Sequence, residues 1–122
     1  MKKLIFILLT ALTLIVSGCK YDEPEIPGDE PEISVDKIPD PKFRDYVLRH
    51  FDTDNDGEIS TAEALEVTVI DVARFGIKSL EGIQYFINLK YLNCSSNQLS
   101  TLDVSKNTAL TYLYCYNNQL FN

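Results

Sequence analysis

The chain is short of the residues that most chemistry needs. It has no tryptophan and a single histidine, His50. That leaves little material for imidazole catalysis or for aromatic cages around a cation. Lysine and arginine total 11 against 18 aspartates and glutamates, a formal charge of −7 over 122 residues. This balance argues against an electrostatic footprint for nucleic acid, so no nucleic-acid partner is expected. Three cysteines, an odd number, close no disulfide framework. No glycine-rich phosphate cradle, zinc-ligand spacing or basic aromatic patch is present. Nor is there an apolar run long enough for a comfortable membrane span. The run Leu4 to Val16 extends about 20 Å at ~1.5 Å rise, against a bilayer core of ~30 Å. No catalytic residues are expected, and the chain reads as a non-enzyme.

What is present divides by segment. Lys2 and Lys3 ahead of that apolar run form the charged and hydrophobic regions of a secretory signal. The run ends in Val16-Ser17-Gly18-Cys19, a tetrad that resembles the lipobox of bacterial lipoproteins. The resemblance implies cleavage of a signal peptide at 1–18 and lipidation of Cys19, with the membrane as partner. Each buried CH₂ contributes about 0.8 kcal/mol, so two or three acyl chains anchor durably. An ordinary signal peptide beside an unrelated cysteine is the alternative. Lys20 follows the cysteine where inner-membrane retention signals carry aspartate. Lys20-Tyr21-Asp22-Glu23 resembles the acidic surface-export tags of some Gram-negative lipoproteins. Together these resemblances imply the bacterial cell envelope, as an outer-membrane lipoprotein displayed at the surface or, alternatively, facing the periplasm.

All five prolines and eight of the acids fall between residues 20 and 41. Few large apolar residues accompany them, too few to offset the entropy of ordering. Residues 19–41 therefore read as the lipidated cysteine and an acidic, proline-rich stalk. At ~3.1 Å per residue it could reach roughly 60 Å from the lipid.

The sharpest motif is Asp52-Thr53-Asp54-Asn55-Asp56-Gly57-Glu58-Ile59-Ser60-Thr61-Ala62-Glu63, which resembles the twelve-residue EF-hand loop. Asp52, Asp54 and Asp56 fall at positions 1, 3 and 5, where carboxylates meet a hard cation. Gly57 falls at the sharp turn of position 6. Glu58 would offer its backbone carbonyl, Ser60 a direct or water-mediated contact, and Glu63 a bidentate carboxylate. The implied cofactor is a structural calcium ion, Ca2+; a turn that binds nothing is the alternative. Phe43, Tyr46, Val47 and Phe51 recur on one face of an incoming helix. Thr61 to Val67 can form a short exiting one. EF-hands usually pair, so a solitary copy speaks against a sensor switch. His50 reads as a helix-surface residue.

Residues 68–122 repeat. Leu89, Leu92, Cys94, Asn97 and Leu99 recur as Leu110, Leu113, Cys115, Asn118 and Leu120, every pair at the same offset. An upstream copy places Ile70, Val72, Ile77 and Leu80 ahead of Leu92, Cys94, Leu99 and Leu102, at an offset one position longer. The spacing L-x-x-L-x-C-x-x-N-x-L resembles the leucine-rich repeat. Ile77-x-x-Leu80-x-Gly82-Ile83-x-x-Phe86-x-Asn88-Leu89 looks internalin-like. In a short strand 91–95, Leu92 and Cys94 face inward while Tyr91, Asn93 and Ser95 face outward. Cys94 and Cys115 then lie one strand spacing apart, about 4.8 Å, as two buried thiols or as a disulfide. Asn97 and Asn118 should satisfy backbone groups in successive turns. The outward residues Tyr91, Asn93, Tyr112, Tyr114 and Tyr116 form a candidate face for a protein or glycan ligand. Tyrosine simply suiting an exposed strand is the plainer alternative.

The expected architecture is an α/β repeat. An EF-hand-like helix–loop–helix cap over 42–67 leads into a truncated leucine-rich-repeat solenoid with short parallel strands over 68–122, about two and a half repeats. Since Leu120-Phe121-Asn122 stops mid-coil, the natural protein is expected to continue or the reading frame to be truncated. The expected function is a membrane-anchored binding or adhesion module. The alternatives are a structural envelope lipoprotein without a specific ligand, or the N-terminal part of a protein whose activity lies downstream.

Overall fold

A computed structural model describes residues 32–121. The signal segment, Cys19 and the stalk up to residue 31 lie outside the described residues. In chain order there follow strand β1 (Glu32–Ile33), a 3-10 turn at Val35–Lys37, helix α1 (Pro41–Phe51), strand β2 (Ile59–Ser60) and helix α2 (Thr61–Leu65). Strand β3 (Val69–Asp71), a second 3-10 turn at Ile83–Tyr85, and strands β4 (Tyr91–Asn93) and β5 (Tyr112–Tyr114) complete the chain. No helix among the described residues is long and apolar enough to cross a membrane.

Helix α1 begins where proline is tolerated, with Pro41 in its first turn and Asp40 as N-cap. Its apolar stripe buries Phe43 and Val47 completely. The cap residue also reaches outward. Oδ1 of Asp40 accepts from the Lys42 and Phe43 amides at 2.8 and 3.2 Å, while Oδ2 accepts from those of Lys78 and Ser79 at 2.8 and 3.2 Å. One carboxylate thus fastens the start of the helix to the loop after β3. Helix α2 is shorter than the sequence pattern implies, ending at Leu65, with Val67 buried just beyond it.

The fold also begins earlier than composition implies. Residues 32–40 lie within the segment assigned to the stalk, yet β1 pairs antiparallel with β2, matching Ile33 to Ile59 and Glu32 to Ser60. Ile33 and Ile38 are buried. The chain passes so close to Gly82 that a Cβ there would meet Ile38 Cγ1 at 2.7 Å, and the Gly82 φ of +108° suits only glycine.

The repeats form a parallel sheet of order β3-β4-β5. Its rows are Val69–Tyr91–Tyr112, Ile70–Leu92–Leu113 and Asp71–Asn93–Tyr114. These rows reproduce both offsets of the sequence repeat, the longer between β3 and β4 and the shorter between β4 and β5. Ile70, Val72, Ile77, Phe86, Leu89, Leu92, Cys94 and Leu99 are fully enclosed. Each strand is followed by a left-handed residue at the equivalent place: Arg74, Ser96 and Asn117, with φ of 65°, 57° and 57°. The asparagines act as expected. Asn97 donates to the carbonyls of Val72 (2.8 Å) and Cys94 (3.0 Å) and accepts from the Phe75 and Ile77 amides (3.0 and 2.9 Å). Asn118 repeats the pattern, donating to the Cys94 and Cys115 carbonyls and accepting from the Leu99 amide. Ser95 departs from expectation. Regular strand ends at Asn93, and Ser95 is buried, its amide and hydroxyl both donating to Asn93 Oδ1.

Candidate functional site

The acidic loop runs from the last turn of α1 to the first of α2. Asp52 caps α1, its amide donating to the Leu48 carbonyl. Asn55 and Gly57 adopt positive φ, 59° and 87°, which folds the backbone amides inward. Asp52 receives the amides of Asp56 (Oδ1, 3.1 Å) and Gly57 (Oδ2, 2.9 Å). Asp54 also accepts from the Asp56 amide, at 3.3 Å, and Asp56 from that of Glu58, at 2.9 Å. Ser60 caps α2 in a reciprocal box: its hydroxyl accepts from the Glu63 amide while Glu63 Oε2 accepts from the Ser60 amide at 3.0 Å. Glu63 Oε1 accepts from the Thr53 hydroxyl at 2.7 Å and from the Thr53 amide. Burial works to raise the Glu63 pKa, but these donors from Ser60 and Thr53 outweigh it and hold the carboxyl below its ordinary value.

Of the four carboxylates expected to meet the ion through their side chains, Asp52, Asp54, Asp56 and Glu63, the structure gathers three. One oxygen each from Asp52, Asp54 and Glu63 lie within 4.8 Å of one another. With Ca–O bonds of ~2.4 Å, oxygens no farther apart than this are near enough for one hard cation to meet all three. Asp56 is not in this cluster of carboxylates; Glu58 and Ser60 are expected to offer a backbone carbonyl and a hydroxyl instead. Asp56 satisfies a backbone amide, and Ser60 is engaged in the capping box. The Glu58 side chain turns away, its Oε1 accepting from the Val35 amide at 3.1 Å.

On the sheet, Tyr112, Tyr114 and Tyr116 are 60%, 42% and 61% exposed, whereas Tyr91 and Asn93 are half-buried. The Tyr91 ring lies 5.7 Å from that of Tyr114 and 6.4 Å from that of Tyr112. With Asn93 Oδ1 committed to Ser95, its amide nitrogen is the group left for a ligand. Residues 107–121 carry no charged side chain, so this part of the face is electrically neutral. At the other edge, His50 is exposed and stacks on Tyr46 with ring centroids 4.3 Å apart. The Tyr46 hydroxyl accepts from the Asp71 amide at 3.2 Å, which ties α1 to the β3 edge. Cys94 and Cys115 are free thiols, the first buried and the second half-buried. Burial, and then the neighbouring Cys115, push the Cys94 thiol up to about 12.

No family model matches the sequence. Solved structures do. The functional domain of InlJ from Listeria monocytogenes, which includes a cysteine ladder, superposes with a TM-score of 0.68 at 35% identity, covering 75% of this chain and 21% of that one. The solenoid is an internalin-like leucine-rich repeat. Two further Listeria monocytogenes internalins agree. InlF gives a TM-score of 0.69 at 25% identity, covering 75% of this chain and 28% of that one. InlC2 gives 0.67 at 24% identity, covering 75% and 42%. The chain thus spans from about a fifth to about two-fifths of these internalin structures. In this internalin-like frame, Cys94 and Cys115 are equivalent residues of adjacent coils.

The sequence reading missed Asp40 and Ile33 as parts of the folded unit. Asp40 before Pro41 carries a readable signal, an N-cap ahead of a first-turn proline. Ile33 carries none, because its partner Ile59 lies beyond the whole of α1 and most of the acidic loop.

Proposed function

We propose that the chain is an envelope-tethered binding module, anchored through lipid on Cys19 to the bacterial outer membrane and displayed at the surface. Its ligand is a protein or a glycan held on the face of Tyr91, Asn93, Tyr112, Tyr114 and Tyr116. The acidic loop holds a structural calcium ion, with Asp52, Asp54 and Glu63 as the core of the donor set. The observation that carries the binding reading is the exposure of three tyrosines on the uncharged last coil of an internalin-like sheet. Large, rigid, amphipathic rings supply contact area at low entropic cost. What supports the calcium reading is the gathering of three carboxylates, which would repel one another without a cation.

The test is a binding screen against glycan and extracellular-protein arrays. Any ligand found should be lost from a Tyr112→Ala/Tyr114→Ala variant whose melting temperature is unchanged. Retention of the same ligands by that variant would place binding elsewhere. In parallel, Cys19→Ala should release the expressed protein from the membrane fraction, and unchanged partitioning would sink the lipid anchor.

A further inference from the structure

We propose that residues 32–35 are a positioning element for the metal loop, so that calcium binding and docking of this strap favour one another. The inference rests on the calcium reading above and concerns residues outside the loop. Strand β2 supplies Ile59 and Ser60, which connect Glu58 to the start of α2. Both are held from outside the loop, Ile59 opposite Ile33 and Ser60 opposite Glu32. Ile59 is fully buried and Ile33 is 8% exposed, so the pairing is also a packing contact. Ser60 in turn caps α2 and, through the reciprocal box, orients Glu63. Glu63 is the member of the acidic cluster that comes from the far end of the loop. A second tie joins the same parts, from the Val35 amide to Glu58 Oε1. The strap itself sits on a firm base, since Ile38 packs against Gly82 and Asp40 is held by four backbone amides.

The consequence is preorganisation. A two-residue strand pair does not persist without its packing. With the strap away, β2 loses its partner, and the Ser60 cap that orients Glu63 loosens. Closing the loop around an ion then costs additional ordering. Coupling of this kind is reciprocal: if the docked strap raises calcium affinity by some factor, calcium favours the docked strap by the same factor.

The test uses the whole chain, titrated with calcium chloride by calorimetry, with hydrogen exchange followed at the Val35 amide. Ile33→Pro, which removes an amide and distorts β1, should weaken calcium binding by about five-fold or more, within the usual range of coupling. Ile33→Val, which keeps the packing, should restore affinity to within about two-fold. In the unaltered chain, calcium should slow exchange at Val35, an effect that a merely structural strap would not show and that needs no variant to fold. Unchanged affinity in a folded Ile33→Pro protein, or calcium binding that leaves Val35 exchange untouched, overturns the coupling alone. No calcium binding by the unaltered chain overturns the calcium reading and the coupling with it.

Discussion

The two edges of the sheet carry related sequence and end in different surroundings. At the β3 edge, α1 is tied to the strand by Tyr46, which satisfies the Asp71 amide, and Ile70 and Val72 are fully buried. At the β5 edge, no described element lies beyond the strand. The motif there is the one that β4 uses, one repeat further along the chain. Yet Leu92 is enclosed where Leu113 is 39% exposed, and Cys94 is enclosed where Cys115 is half-buried. Asn97 is buried and Asn118 only partly so. The motif therefore specifies where a side chain points, and the neighbouring coil decides what that is worth. Stability in such a stack is a sum of units and nearest-neighbour interfaces.

The sharpest way to break this comparison is to remove the same atom group from both coils. Asn97→Ala takes this partner from the Phe75 and Ile77 amides and from the Val72 carbonyl, while the Cys94 carbonyl keeps Asn118. At ~1–3 kcal/mol for each unmet buried group, the loss should be about 4 kcal/mol. Asn118→Ala takes the side-chain partner from one amide, that of Leu99, while the Cys94 carbonyl keeps Asn97, and should cost less, about 1–2 kcal/mol. Denaturant unfolding of both variants measures the pair. Equal losses would show that the coils are energetically alike despite their different burial.

That contrast also explains what was legible in the sequence. The register of the sheet was, because one offset repeated over five positions leaves a single way to stack the last two coils. The helix α1 was, because its apolar residues recur at helical spacing. The strap was not, because Ile33 and Ile38 stand alone among prolines and acids and gain their burial from β2 and Gly82, far along the chain. In the acidic loop, the spacing points to an acidic cluster, and the fold brings three of its carboxylates together. These are Asp52, Asp54 and Glu63, while the Glu58 side chain, not expected to be a ligand, accepts from the Val35 amide. Ser95 was misplaced because strict alternation fails where the strand ends and the turn begins.

At the closed edge the expected loss is smaller. Asp40 joins the helix start to the loop after β3 with four accepted amides, so Asp40→Ala should cost about 2–3 kcal/mol from the lost cap and the unmet amides. Burial works to raise the Asp40 pKa, but the amides of Lys78, Phe43, Lys42 and Ser79 outweigh it and lower the pKa below the ordinary value. A depressed carboxylate stabilises the fold above its unfolded pKa of ~3.9, and that contribution is lost as pH falls through the folded value. Glu63 acts in the same sense. Thermal unfolding should therefore lose midpoint temperature below about pH 4, with a shallower loss in Asp40→Asn. An identical acid profile in that variant would remove Asp40 from the account.

The smallest effect is a difference in reactivity that leaves stability alone. A thiol alkylates as its thiolate, and the Cys94 pKa of about 12 leaves roughly one in ten thousand ionised at pH 8. Burial adds a steric block, since no surface of Cys94 is open. Cys115 occupies the same place in the next coil but is half-buried beside the exposed Leu113. Iodoacetamide followed by peptide mass spectrometry should therefore modify Cys115 first, with Cys94 slower by about tenfold or more. Reaction at Cys94 then requires its coil to open, so its rate reports the free energy of that opening. The Asn97→Ala variant should accelerate it, while Asn118→Ala should act chiefly on Cys115. Equal rates at the two cysteines in the unaltered chain would mean that both coils open together, and the distinction between the edges would fail.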